Sequence, residues 1–168
     1  MTTLYLVRHG ETIDNARKIM QGQTQGELNQ TGIAQAETLR EKLLSVRIDA
    51  FVSSDLNRAV QTCSILAEGR GVPVVETPLL RERDWGDFTG EYIPSLADRP
   101  WPDNVESAER LQARARNFLT WVRVTYPGQT VVAVGHGIIN KAIQSVYHHK
   151  PMSQILRMDN AEMRVLML

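Results

Sequence analysis

Two histidines in this sequence share one local setting. His9 follows the apolar run Leu4-Tyr5-Leu6-Val7 and Arg8, and precedes Gly10. His136 follows Thr130-Val131-Val132-Ala133-Val134-Gly135 and precedes Gly137. Glycine lets a ligand approach the main chain closely. An imidazole can attack phosphorus when its second nitrogen is held by a partner, which leaves the attacking one unprotonated. Carbonyls around Gly10 or Gly137 are available for that, and either ring nitrogen is open to the attacking role. Arg8 and Arg58 carry planar forks that match phosphate oxygens. Phosphoryl transfer depends chiefly on positioning and on stabilising the equatorial oxygens. Two guanidiniums bracketing the phosphoryl group would supply that stabilisation. Glu82 is the carboxyl available to protonate a leaving alcohol. Arg81 and Arg83 flank it, and nearby cations favour the charged form over the acid.

Other chemical signatures fail. Gly135-His136-Gly137-Ile138-Ile139-Asn140 begins like a dinucleotide fingerprint but lacks the third glycine. No Gly-Lys-Ser/Thr phosphate loop and no Gly-x-Ser-x-Gly elbow is present. His148 and His149 are adjacent, so on a helix they diverge and make a poor metal pair. No metal-binding cluster is evident, and no cofactor is expected. Cys63, the single cysteine, lies in a helical pattern and reads as a buried small hydrophobe.

The chain has 168 residues, a size that suits one domain with one core. Formal net charge is zero, from 19 basic and 19 acidic residues, which argues against a nucleic-acid surface. The basic side holds 15 Arg and only 4 Lys, a bias that suits phosphate binding. The start Met1-Thr2-Thr3-Leu4 does not resemble a signal peptide, and no run approaches a membrane span of roughly 18 apolar residues. A cytoplasmic location without a membrane partner is the expectation.

These residues need elements to hold them. Leu4–Val7 and Ala50–Val52 read as strands, and Val72–Val75 as a third whose Pro73 marks a start or an edge. Thr130–Val134 is the clearest buried strand, and Val165–Leu168 a last one. Helices are expected from Thr31, with Ala36, Leu39, Leu43 and Val46 at helical spacing. Others are expected from an Asp55 N-cap to about Gly69, from a Ser107 N-cap through Leu111, Ala115, Phe118, Leu119 and Val122, and from Gly137 to about Tyr147. Residues 77 to 106 read as irregular. Alternating strands and helices predict a mostly parallel α/β sheet with helices on both faces. Ligands bind beyond the carboxyl ends of such strands. That rule selects Arg8-His9, Ser53-Ser54-Asp55 with Arg58, Glu82, and Gly135-His136-Gly137, so two histidines, two arginines and one carboxylate converge on one edge.

The ordered set of motifs resembles the histidine phosphatase superfamily, in its phosphoglycerate mutase-like branch. The set runs Leu6-Val7-Arg8-His9-Gly10-Glu11-Thr12 with Asn15, Gln21-Gly22, Leu28–Ala36, Ser53–Thr62, Leu80–Gly90, Val134–Gly137 and Asn160-Ala161-Glu162. It covers essentially the whole chain. Glu27-Leu28 and Val105-Glu106-Ser107 depart from the common pattern in substrate loops. The resemblance implies a three-layer α/β/α sandwich. It implies His9 as a nucleophile that becomes phosphohistidine and Glu82 as proton donor. Arg8, Arg58 and His136 form the implied phosphate pocket, with Asn15 on the phosphoryl group and Gln21-Gly22 near the substrate. It implies no metal or organic cofactor, and a small phosphorylated metabolite as partner. Family members often dimerise, so a homodimer is open.

The mutase-type branch carries a long insertion after the glutamate that keeps water from the phosphohistidine. Here residues 83–106 form only a short lid in a single domain spanning 1–168, which favours hydrolysis over phosphoglycerate mutase-type transfer. A protein phosphohistidine phosphatase and a non-catalytic phospholigand-binding module are the other readings. From Trp85 to Glu106 that segment holds Asp87, Glu91, Asp98, Asp103 and Glu106 against only Arg99, with Trp85, Phe88, Tyr92 and Trp101 interspersed. An acidic, aromatic lid would suit a monophosphate with a flat or apolar leaving group, such as ribazole phosphate among others, but the favoured reading is a solvated loop whose aromatics pack into the core.

Overall fold

Apolar side chains alternate along each central strand, so every strand feeds two cores. A computed structural model describes all residues, 1–168. Strands β1 (Thr3–Arg8), β2 (Ala50–Ser54), β3 (Val74–Thr77), β4 (Thr130–Gly135) and β5 (Met163–Met167) form one sheet in the order β3-β2-β4-β1-β5. β5 alone is antiparallel, to β1. Leu4 and Leu6 of β1, Val52 of β2, and Val131 and Ala133 of β4 face one side. There they meet Leu111, Phe118 and Val122 of α4 (Ala108–Thr125) and Ile139, Ala142 and Ile143 of α5 (Gly137–His148). Val7, Phe51, Val132 and Val134 face the other side. They meet Leu39 and Leu43 of α2 (Gln30–Leu43) and Ala59, Cys63 and Leu66 of α3 (Asn57–Ala67). Two helix layers over one sheet make the expected three-layer α/β/α sandwich. For these helices, α1 is the short turn Ile13–Ala16 that precedes them.

Several boundaries differ from the sequence expectation. Asn29, not Thr31, precedes the helix start. Its side chain accepts from the Gly32 amide, so α2 begins at Gln30 and ends before Val46. Asp55 is not an N-cap. Leu56 holds that position without a side-chain bond, and the Asp55 carboxylate instead takes both Nε and Nη2 of Arg81, at 2.8 and 2.7 Å. β3 starts after Pro73, at the sheet edge as expected. α3 stops at Ala67, and β5 starts at Met163. Ser107 does cap α4, accepting from the Arg110 amide at 3.2 Å. Residues 77–106 are not featureless: three 3₁₀ turns lie at Pro78–Leu80, Gly86–Phe88 and Ile93–Leu96.

The neighbouring parallel strands β1 and β4 set the two histidines side by side. Arg8 is in register with Gly135, and the His9 amide donates to the Gly135 carbonyl at 3.1 Å. The loop after β1 then packs backbone to backbone on the first turn of α2. A methyl on Gly10 would stand 2.5 Å from the Gly32 carbonyl oxygen. Only glycine permits that approach, and it holds the His9 loop against the sheet.

Candidate active site

His9 is buried, and its Nδ1 lies 2.7 Å from the carbonyl oxygen of Gly10. A carbonyl only accepts, so Nδ1 carries the hydrogen and Nε2 keeps a free lone pair. The Asn160 amide nitrogen donates to the His9 carbonyl at 3.1 Å and to Asn15 Oδ1 at 3.3 Å. The His136 ring stands edge-on to His9, with centroids 5.0 Å apart. His136 Nε2 lies 2.9 Å from Ser54 Oγ, which already accepts the Leu56 amide. Ser54 therefore has its hydroxyl hydrogen available for Nε2, and His136 Nδ1 then bears a hydrogen. That Nδ1 is buried without a protein partner.

Burial, followed by the positive charges of Arg58 and Arg8, pushes the His9 imidazole well below its ordinary value of 6.5. Burial and then Arg58 do the same to His136. Both rings are thus neutral at pH 7. The sign for stability follows: as pH falls below 6.5 the unfolded chain takes up protons that these buried rings refuse, so the fold loses stability. Thermal unfolding is expected to shift downward between pH 7 and 5. A ¹⁵N titration should show His9 with Nδ1 protonated and Nε2 bare at pH 7, with a midpoint well under 6.5. A midpoint at the ordinary value would refute the assignment.

The arginines are only partly free for a ligand. Arg58 is fully buried, and its Nη2 donates to the Gly22 carbonyl at 2.7 Å while Nη1 donates to Thr24. Burial lowers its guanidinium to about 10, still charged at neutral pH. Arg8 Nη1 donates to the Met158 carbonyl at 2.8 Å. The expectation that both forks bracket a phosphoryl group therefore narrows. Their Nε atoms are the buried donors without a protein partner. On those two nitrogens and His136 Nδ1 an oxyanion would satisfy otherwise costly buried polar atoms, and Arg8 Nη2 is a further donor without a protein partner.

Glu82 sits on the N-terminus of α5. Its Oε1 accepts the amides of Arg83 at 2.9 Å, Ile139 at 3.0 Å and Ile138 at 3.2 Å, while Oε2 accepts only Ile138, at 3.1 Å. Oε1 is held as an acceptor, and Oε2 is the oxygen free to carry a proton. The flanking arginines have partners of their own. Arg81 is bound to Asp55, and Arg83 donates to the Glu106 carbonyl with its guanidinium 5.1 Å from the ring centres of both Trp85 and Trp101.

All of the expected site residues except His136 line one cavity of about 160 Å³: Arg8, His9, Asn15, Gln21, Gly22, Arg58 and Glu82. His136 is fully buried, edge-on to His9. Gln21 contributes structurally, since its Oε1 accepts the Thr12 hydroxyl at 2.9 Å. Gly22 adopts φ +51°, which turns its carbonyl toward Arg58. Sequence reasoning gave no role to Ser54 or Asn160, and it missed the cavity-lining Ile19, Met20, Ile93, Ile138 and Arg157. Ser54 and Asn160 stood within recognised motifs, so a signal existed for them. The acidic-lid alternative loses to the loop reading: Glu91 pairs with Arg99, Glu106 with Arg114 at 2.8 Å, and Asp87 accepts from Asn104 at 2.9 Å. None of these carboxylates lines the cavity, and of the four aromatics only Trp85 does.

A sheet edge that buries neutral imidazoles beside guanidinium donors with unmet hydrogen bonds marks a phosphate-handling α/β protein. A family model described as histidine phosphatase superfamily (branch 1) matches residues 4–168, and the chain belongs to that family. It is 36% identical over 166 residues to the uncharacterized phosphatase PhoE of Bacillus subtilis (strain 168), covering 96% of this chain and 86% of that protein. It is 34% identical to a metal-independent phosphoserine phosphatase of Arabidopsis thaliana, over 85% of this chain and 67% of the relative. A mycobacterial glucosyl-3-phosphoglycerate phosphatase structure, complexed with VO3, superposes with a TM-score of 0.91 at 30% identity, covering 98% of this chain and 92% of that one.

Proposed function

We propose that this protein hydrolyses a small-molecule phosphomonoester through a phosphohistidine on His9. The observation that carries the reading is the 2.7 Å bond from His9 Nδ1 to the Gly10 carbonyl, which leaves Nε2 as a bare nucleophile within a cavity lined by arginines. In the first step Nε2 attacks phosphorus, and the bond to the leaving alcohol oxygen breaks. Arg8 Nε, Arg58 Nε and His136 Nδ1 donate to the phosphoryl oxygens. Such donors act without reorganising as charge develops, which is the main source of rate in this chemistry. Glu82 Oε2 gives its proton to the departing oxygen. In the second step the Glu82 carboxylate takes a proton from water, the hydroxyl attacks phosphorus, and the P–N bond breaks to release phosphate and neutral His9.

The proton that Glu82 passes to the leaving oxygen can arrive with the substrate. A phosphate monoester near neutral pH carries one for part of the time, since its second ionisation lies near 6.

The cavity is walled rather than flat, which supports a small substrate over a protein surface. The loop at Lys18–Met20 is stitched to residues 90–93: Met20 N–H donates to Glu91 at 2.9 Å, Gly90 to Met20 at 2.7 Å and Ile93 to Lys18 at 2.8 Å. The names of the relatives, phosphoserine and glucosyl-3-phosphoglycerate phosphatases, point to the same class of substrate. A cytoplasmic setting fits such metabolites. The test is a phosphomonoester panel scored for phosphate release and for transfer to a second acceptor. Release is expected to dominate by about tenfold or more, in line with a chain whose water access is not sealed by a long insertion. Dominant transfer would replace hydrolysis with a mutase reaction.

A further inference from the structure

Arg157 lines the same cavity as His9 and Glu82, yet its side chain makes no hydrogen bond and no ion pair within the protein. It is exposed, and it is held near a second cation. The point where a methyl on Gly137 would sit lies 3.5 Å from Arg8 Nε and 3.8 Å from Arg157 Nε. Two guanidiniums thus flank the start of α5, and Arg157 is the first charge, after burial, acting to weaken the protonation of Arg8. Its backbone is fixed on both sides. Arg164 donates to the carbonyl of Leu156 at 2.8 Å and to that of Arg157 at 3.4 Å, and Arg8 donates to the carbonyl of Met158 at 2.8 Å. The loop therefore presents an unpaired arginine at the cavity from a rigid base, the arrangement that lowers the cost of binding an anion.

We infer that Arg157 is a specificity-determining residue that binds a carboxylate carried by the alcohol portion of the phosphomonoester. The inference rests on the proposed hydrolase reading for the position of the phosphoryl group. Arg8 and Arg58 serve that group, which leaves Arg157 for a second anion. One planar fork matches one carboxylate in charge and in bidentate geometry. A second phosphoryl group fits less well. It is a dianion facing a single uncommitted cation, with the Glu82 carboxylate in the same cavity lining. The 160 Å³ volume suits a short carbon chain, and Ile19, Met20 and Ile93 give it an apolar wall.

Phosphoglycolate and its primary amide have the same shape and differ in this one charge. They are compared with the wild type and with Arg157→Met and Arg157→Lys. In turnover, the wild type is expected to prefer the acid. The preference should shrink by about ten- to a hundredfold in Arg157→Met, the range for a lost hydrogen bond to a charged group, and recover partly in Arg157→Lys. The same comparison of dissociation constants in a His9→Ala background reads binding without chemistry. Discrimination in binding with no turnover by the wild type would leave the carboxylate subsite standing and remove the hydrolase reading. Turnover with equal loss for acid and amide would do the reverse, because Arg157 would then act on the phosphoryl group or on the fold. A stronger preference for ethylene glycol bisphosphate over phosphoglycolate, abolished by Arg157→Met, would also overturn the carboxylate assignment.

Discussion

Replacing His9 by alanine is expected to lower kcat by about 10⁴-fold or more, since removal of a nucleophile forfeits the covalent route altogether. The phosphoenzyme trapped from the wild type should be labile in acid and stable in base, and should vanish in the variant. The fold should survive. His9 is bound through its main chain as well, from its amide to Gly135 and from its carbonyl to Asn160 and Ala161, and alanine keeps those bonds. Substrate analogues should still bind, because the donors Arg8 Nε, Arg58 Nε and His136 Nδ1 remain. Activity in the variant equal to the wild type would end the mechanism. Loss of activity with no phosphoenzyme in the wild type would instead make His9 a binding residue.

The second large effect belongs to Glu82. In Glu82→Gln the proton for the leaving oxygen is gone, and general acid catalysis contributes about 10²–10⁴-fold. The loss should depend on the alcohol. An alkyl phosphate needs the proton as the P–O bond breaks and should show the full effect in kcat. A nitrophenyl phosphate departs as a stable anion and should show little in the first step. A uniform loss across leaving groups would assign Glu82 to positioning rather than proton transfer. The amide also changes the contacts, since Oε1 and Oε2 together accept four backbone bonds and a glutamine has one acceptor oxygen. Far-ultraviolet circular dichroism and thermal unfolding would separate a loosened α5 N-terminus from lost chemistry.

The catalytic candidates were legible because each directly follows a buried strand or occupies the loop after one. Arg8 ends β1 and His9 follows it, His136 follows β4, and Ser54 ends β2, so the rule that ligands bind beyond strand ends placed them together. Asp55 shows where that reasoning fails. A carboxylate before a helix reads as a cap, yet its partner is Arg81, 26 positions away, and only the packed chain brings them into contact. The acidic segment fails for a related reason. Composition counted Asp87, Glu91 and Glu106 as a field over the substrate, whereas each is matched to a neighbour by folding. Arg157 had no signal at all. It is one exposed arginine in a loop without periodicity, and it reaches the site because the chain turns back there to lay β5 antiparallel to β1.

The amino-acid sequence by itself determined the strands, the order in which they alternate with helices, and the residue types that meet at their ends. Those depend on local apolar periodicity, which is written in the chain. Tertiary structure decided which nitrogen of His9 is bare, which nitrogens of Arg8 and Arg58 are left for a ligand, and which oxygen of Glu82 can hold a proton. Each of those choices is made by a backbone carbonyl or amide. Such groups are the same in every residue and leave no mark in a sequence until folding aims them.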